Sequence, residues 1–344
     1  MYLTSSRLVG ATLLVLSLLF FMGCDGDSGV SDPEPDPGPQ TGTVIGVVTA
    51  ADGETPIQGV TVGLATDEAA DAAQSGNALR PLNTVLSPVF AVQTDGPTTT
   101  TDADGAFTLE DVPTGEQTLI AKRGVFEATF TVTVPLNDVI AVDEVDLDSV
   151  QPLGYVPGEY DSIEDVVLGL GNEDVDELSP ESLGDADLLG DYAMVFVNCG
   201  SDSFTEERAA VLADYVNQGG TLYISDLEAP YVEALFPDDI SFTNDSFAEE
   251  LEGRVTAQSL RDWIRRGELT ITYDAPSWSR ITNLEGDAEV LVHGQPSQLD
   301  EGNEPLAITF SLGSGRVVYT TFHNTLGLNI EQESVLRYYI YLDS

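Results

Sequence analysis

Two spacings of hydrophobic and polar positions divide the chain. From 41 to 149 apolar and polar residues alternate in short runs. Residues 43–49 (TVIGVVT) form one such run, and 60–64 (VTVGL) set Val60, Val62 and Leu64 on one face. Further runs at 117–121, 127–134 and 139–147 are separated by turn formers such as Ala51-Asp52-Gly53 and Val112-Pro113-Thr114-Gly115. A set of strands with short turns predicts a β-sandwich.

After about 151 the period changes. Residues 162–170 have helical spacing, with Ile163, Val166, Val167 and Leu170 on one side. Residues 192–198 (YAMVFVN) are continuously apolar, as in a strand buried on both faces. An amphipathic helix over 204–218 ends at Gly219-Gly220, and 221–225 (TLYIS) predicts the next buried strand. Strands follow at 269–273, 289–293, 307–312 and 316–321, then a helix near 331–341. This alternation predicts a three-layer α/β domain over 151–344 with a mainly parallel sheet.

The first 40 residues belong to neither pattern. Arg7 precedes an apolar run over 8–22, the form of a secretory leader and too short for a stable membrane span. The run ends in Phe21-Met22-Gly23-Cys24, which resembles the lipobox of bacterial lipoproteins, with Phe21 and Met22 bulkier than that pattern prefers. The resemblance implies removal of 1–23, lipid on Cys24 and anchoring to a bacterial membrane, at the outer membrane, the periplasmic face or the cell surface. Residues 24–40 then form an acidic tether in which Pro33, Pro35, Pro37 and Pro39 exclude helix and strand.

Charge narrows the partners. The 344 residues carry 59 acidic and 12 basic side chains, a formal charge of −47. Nucleic acid is excluded as a partner, because phosphate binding needs basic clusters. Arg261, Arg265 and Arg266 come nearest to one and read as a solvated helix face. Acidic excess with Lys122 as the one lysine resembles proteins of salt-loving organisms. With Cys24 lipidated, Cys199 stands alone and no internal disulfide is expected.

Motifs in the first domain resemble the carboxypeptidase regulatory-like domain, a transthyretin-type sandwich. They are Pro56-Ile57-Gln58-Gly59-Val60-Thr61-Val62, then 101–109 (TDADGAFTL), then Val112-Pro113-Thr114-Gly115. An insertion over 66–96 departs from the family. Such domains are appended modules without catalytic groups. Asp102-Ala103-Asp104-Gly105 reads as a hairpin turn rather than a calcium loop, which would need more ligands.

The second domain resembles the class I glutamine amidotransferase-like superfamily, with its flavodoxin-like sheet. The likeness rests on 192–200, on 219–226 (GGTLYISD) as the approach to a nucleophile elbow, and on 315–324 (GRVVYTTFHN) as the strand delivering a histidine. An active family member needs a G-x-C-x-G elbow and a carboxylate two residues beyond the histidine. Here Ser225-Asp226 stands at the elbow and Thr325 replaces the carboxylate, so the family reaction is not expected.

A crevice is still predicted where strands end. Glu159, Asp161, Cys199, Ser225, Asp226 and His323 all follow strands whose carboxyl ends face one side of an open α/β sheet. Cys199 or Ser225 with His323 as base would make a hydrolase; carboxylates with His323 could instead hold a metal. Each residue also has an ordinary reading, as buried hydrophobe, cap or hydrogen-bonded strand end. His293, Trp263 and Trp278 read as core or rim. The expectation is a non-catalytic binding or scaffolding module, with a glycan, peptide or envelope-protein ligand and no cofactor.

Overall fold

The computed structural model describes residues 40–65, 96–274, 277–297, 299, 302–325, 327 and 329–342. The leader, Cys24, nearly all of the tether and almost all of the 66–96 insertion lie outside these residues.

The first half is strand-only among the described residues. Eight strands are β1 (Thr41–Ala50), β2 (Thr61–Leu64), β3 (Thr98–Thr100), β4 (Ala106–Pro113), β5 (Gly115–Arg123), β6 (Phe126–Val134), β7 (Val139–Ala141) and β8 (Val145–Ser149). They hydrogen-bond in the order β3-β2-β5-β6-β8-β1-β4, with β7 also on β1. Alternation does its expected work: Val44, Val48, Val60, Val62, Phe107, Leu109 and Leu119 are buried together. Asp102 makes the turn before β4, its Oδ1 accepting the N–H groups of Asp104 at 2.9 Å and Ala106 at 3.0 Å.

The second half is built on nine strands. In chain order they are β9 (Leu153–Val156), β10 (Val175–Glu177), β11 (Met194–Val197), β12 (Thr221–Ser225), β14 (Glu249–Val255), β15 (Glu268–Tyr273), β17 (Glu289–Gly294), β18 (Glu304–Leu312) and β19 (Gly315–Thr320). The sheet order is β10-β9-β11-β12-β19-β18-β17-β14-β15. A separate pair joins β13 (Ile240–Thr243) to β16 (Arg280–Leu284).

The sheet is mixed, which corrects the expectation of a mainly parallel one. Pairs from β10 through β19 are parallel, and pairs from β19 through β15 are antiparallel. Connection length gives the reason. Parallel neighbours need crossovers of about a dozen residues or more, whereas only Gly313-Ser314 separates β18 from β19. Strand β14 (EELEGRV) is hard to recognise in the sequence because its acidic outward positions hide an apolar alternation.

Helices pack along both halves of the sheet. Helix α1 (Ile163–Gly169) buries Ile163, Val166 and Val167. A single turn, α2 (Ala186–Leu189), precedes the longer α3 (Glu206–Asn217), where Thr205 Oγ1 caps the first turn by accepting from Arg208 N–H at 3.2 Å. Helix α4 (Ala229–Leu235) follows β12, α5 (Gln258–Ile264) follows β14, and α6 (Ile330–Ile340) closes the chain.

The described residues belong to one compact unit. One apolar core runs from Val44 and Phe126 through Leu153 and Ile163 to Tyr341. At the seam Arg123 Nε donates to the Tyr341 carbonyl at 2.6 Å, and the Asp52 N–H donates to the Leu170 carbonyl at 2.9 Å. Phe126 and Tyr341 have ring centroids 4.6 Å apart. The three arginines are engaged rather than forming a free basic face. Arg261 donates to the Val255 carbonyl, Arg265 pairs with Asp104 at 2.8 Å, and Arg266 pairs with Glu331. Trp263 packs against this core as a rim residue, and Trp278 is buried, stacked on Tyr273 at 3.8 Å. No helix among the described residues is long and apolar enough to cross a membrane.

Candidate functional site

Parallel strands deliver their carboxyl ends to one side of a sheet, so the loops after β9, β11, β12 and β19 meet. The loop after β9 carries Glu159, Tyr160 and Asp161. Cys199 lies two residues beyond β11, Asp226 directly follows β12, and His323 and Asn324 follow β19.

Asp161 ties these loops together. Its Oδ2 accepts the Cys199 N–H at 3.0 Å and the Ser225 hydroxyl, and its Oδ1 accepts the Asn324 N–H at 2.6 Å. The Cys199 N–H is shared with Ser225 Oγ, also at 3.0 Å. Burial pushes the Asp161 carboxyl above its ordinary range, while the His323 charge and these hydrogen bonds pull it down.

Asp226 occupies the turn from β12 into α4 at φ 42, a left-handed conformation uncommon outside glycine. Strain of this kind is found where surrounding contacts over-determine a residue, and here they do. Oδ1 accepts the Ser279 N–H at 2.6 Å, Oδ2 meets His323 Nε2 at 2.8 Å, and the backbone carbonyl accepts the Tyr319 hydroxyl at 2.9 Å. The Cys199 thiol approaches the same Oδ2, with Sγ at 3.7 Å.

His323 is therefore held at both ring nitrogens. Nδ1 lies 3.0 Å from Asp274 Oδ1, the half-exposed residue just past β15. The Tyr160 ring covers one imidazole face in parallel, with centroids 5.8 Å apart. Burial opposes charge on the ring, but the hydrogen bond to Asp226, the Asp161 and Asp226 charges and the Asp274 contact outweigh it. Together they hold the pKa at about 9. A pKa of about 9 favours an imidazolium that donates to Asp226 and Asp274 at neutral pH, while burial raises the Asp226 carboxyl and the His323 contact pulls it back down. Cys199 goes the other way in reactivity: burial, then the Asp226 and Asp161 charges, push its thiol far above the usual range, so it remains protonated.

Five of the six residues expected at the crevice, Asp161, Cys199, Ser225, Asp226 and His323, thus form one buried network. Glu159 lies outside it, at the rim of an adjoining open crevice of about 510 Å³ with Tyr160, Asp202, Phe204, Leu227 and Glu228. Gly200 permits the close approach of the two loops there: it sits at φ +81, and a Cβ would come within 2.8 Å of the Tyr160 ring. Neither nucleophile–base pair takes shape, because the Ser225 hydroxyl donates to Asp161 and the thiol faces Asp226. The carboxylate behind the histidine comes from Asp274, not from position 325. The rule that functional groups follow strand ends would have flagged Asp274, which directly follows 269–273. Half-buried His293 lies in β17 opposite Arg254, apart from this network.

No family model matches the chain, and no curated protein matches it. Among solved structures it is similar to a protein described as ThuA-like from Bacteroides uniformis, at 13% identity over 56% of this chain and 91% of that one, with a TM-score of 0.43. A Thermoplasma acidophilum protein described as part of a GMP synthase gives 13% identity, 55% and 92% coverage and a TM-score of 0.42. A second ThuA-like protein, from Parabacteroides merdae, gives 14%, 54%, 85% and 0.40. Likeness at this level carries no argument about activity.

The clamped imidazolium makes stability depend on pH. The ring binds its proton more tightly folded (about 9) than at its ordinary 6.5. Its contribution is thus complete below pH 6.5 and is lost as pH rises through 9, a loss of up to about 3 kcal/mol. Urea unfolding in chelator at pH 6.5, 8 and 9.5 should show that decline, and His323→Gln should flatten it.

Proposed function

We propose that this is an exported, lipid-anchored protein of the bacterial cell envelope that binds a ligand without transforming it. In this reading residues 41–149 are a transthyretin-type sandwich of the carboxypeptidase regulatory kind. Residues 151–344 are a class I glutamine amidotransferase-like domain with a flavodoxin-like parallel half, in which the reactive elbow has become a structural tie.

One observation carries the reading. The crevice beside the strand ends is open, while the groups that would do chemistry lie beneath it, buried and bonded to one another. A general base must be unprotonated and within reach of the proton it removes. His323 instead meets a carboxylate at each ring nitrogen, and the nearby Cys199 thiol, within 4.8 Å, is directed at Asp226 Oδ2 rather than at the ring. The hydrolase reading, with Cys199 or Ser225 paired to His323, would need that network to open first.

The crevice walls suggest the ligand class. Glu159, Asp202 and Glu228 supply acceptors, and Tyr160 and Phe204 supply aromatic faces. Glu228 is itself placed by accepting the Ser201 N–H at 2.9 Å. Acceptors beside flat apolar rings suit a polyhydroxylated ligand, such as an envelope glycan.

The purified protein should bind at least one member of a panel of soluble peptidoglycan fragments and envelope oligosaccharides. Tyr160→Ala should weaken that binding about 10-fold or more, with no change in folding. Ester and amide reporters should turn over no faster with the wild type than with Cys199→Ala or Ser225→Ala. Hydrolysis abolished by either substitution would replace the binding reading with the enzymatic one.

The anchor has its own test. Expressed in a bacterium with a lipoprotein pathway, the full chain should partition with membranes and incorporate labelled palmitate. Cys24→Ser should abolish both; label retained in that variant would exclude the assignment.

A further inference from the structure

Three chemically different donors meet beneath the crevice. Cys199 Sγ, an Asp226 carboxylate oxygen and a His323 ring nitrogen all lie within 4.8 Å of one another, and all three residues are buried. They come from three loops that Asp161 holds in register. Such convergence of thiol, carboxylate and imidazole exceeds what packing alone requires, since a structural tie could be made by Asp226 and His323 without sulfur.

We propose that Cys199, Asp226 and His323 form a binding site for one divalent transition-metal ion of the zinc type. Tetrahedral bonds of about 2.0 Å to nitrogen and oxygen and about 2.3 Å to sulfur set ligand atoms roughly 3.3–3.5 Å apart. The Cys199–Asp226 separation of 3.7 Å is already close to that spacing. The His323–Asp226 separation of 2.8 Å must open by about half an ångström, within a small rotation of either side chain. The ion enters as Cys199 releases its Sγ proton and His323 its Nε2 proton, both to solvent.

The surroundings match what such sites require. A metal-bound histidine donates its other N–H to a carboxylate, which fixes the ring and raises its basicity; Asp274 stands at Nδ1 at 3.0 Å. The donor set selects the metal class. Calcium and magnesium need six or more oxygens, whereas Asp226 has one carboxylate oxygen here, the other being taken by the Ser279 N–H. Thiolate with imidazole favours zinc, cobalt or copper. Access is through the crevice. Gly200 and Leu227, which adjoin Cys199 and Asp226 in the chain, line it, and Tyr160, also lining it, covers His323. Three protein ligands leave a fourth position for water or for a donor on the crevice ligand. The site stands independently of that ligand.

Cobalt(II) titration of chelator-treated, full folded protein tests the proposal, because surface carboxylates also attract cations and only a thiolate gives a sulfur-to-metal charge-transfer band. One ion per chain is expected, with that band and tetrahedral visible absorption, both displaced by zinc. Cys199→Ser should remove the band and weaken binding about 100-fold, while Asp274→Asn should keep the band and weaken binding about 10- to 100-fold. Cobalt bound by the wild type without the charge-transfer band, or no saturable binding at all, would overturn the assignment, whatever the variants do.

Discussion

Burying a carboxylate costs several kcal/mol unless its oxygens are met by hydrogen bonds or charge. Asp161 meets that condition with groups from three different loops, and the site depends on this. Its oxygens engage Cys199, Ser225 and Asn324, which follow or end β11, β12 and β19. Asp161 thereby converts four parallel strands, each ending in a free loop, into one fixed surface. Loss of any one of these three donors would leave a buried carboxyl oxygen short of a partner.

A second charge layer rests on the first. Asp226 is bent into a left-handed turn and held there by Ser279, Tyr319 and His323. The imidazolium, gripped from its far side by Asp274, balances the charge of Asp226. This arrangement accounts for both the binding reading and the metal site. The groups are fixed and sheltered, and Tyr160, whose ring stacks on His323, also lines the open crevice. A proton clamped between Nε2 and Oδ2 occupies the position that an ion would take.

Much of this was legible in the sequence because it follows from period and spacing. Alternation marked the strands of the first half, and unbroken apolar runs marked β11 and β12 at the centre of the second sheet. Strand ends then pointed to Asp161, Cys199, Ser225, Asp226 and His323 as neighbours. Three things were not legible. Strand β14 hides its alternation among glutamates. The antiparallel half of the second sheet includes the pair β14–β17, whose partners are far apart in sequence, so no local period marks it. Asp274 stands at a strand end and was within reach of the strand-end rule, but its pairing with His323, 49 residues away, is given by no local motif. Sequence also gives burial poorly for polar groups: nothing local to 319–326 says that His323 is 4% exposed and doubly held.

The central claim is that His323 is a buried imidazolium held by Asp226 and Asp274. Nitrogen-15 NMR of the histidine rings in chelator-treated protein, followed from pH 5 to 10, measures it directly. His323 should remain protonated on both nitrogens at pH 7 and lose a proton near pH 9. A neutral ring at pH 7, titrating at or below the ordinary 6.5, would contradict the claim and return His323 to the position of a competent base.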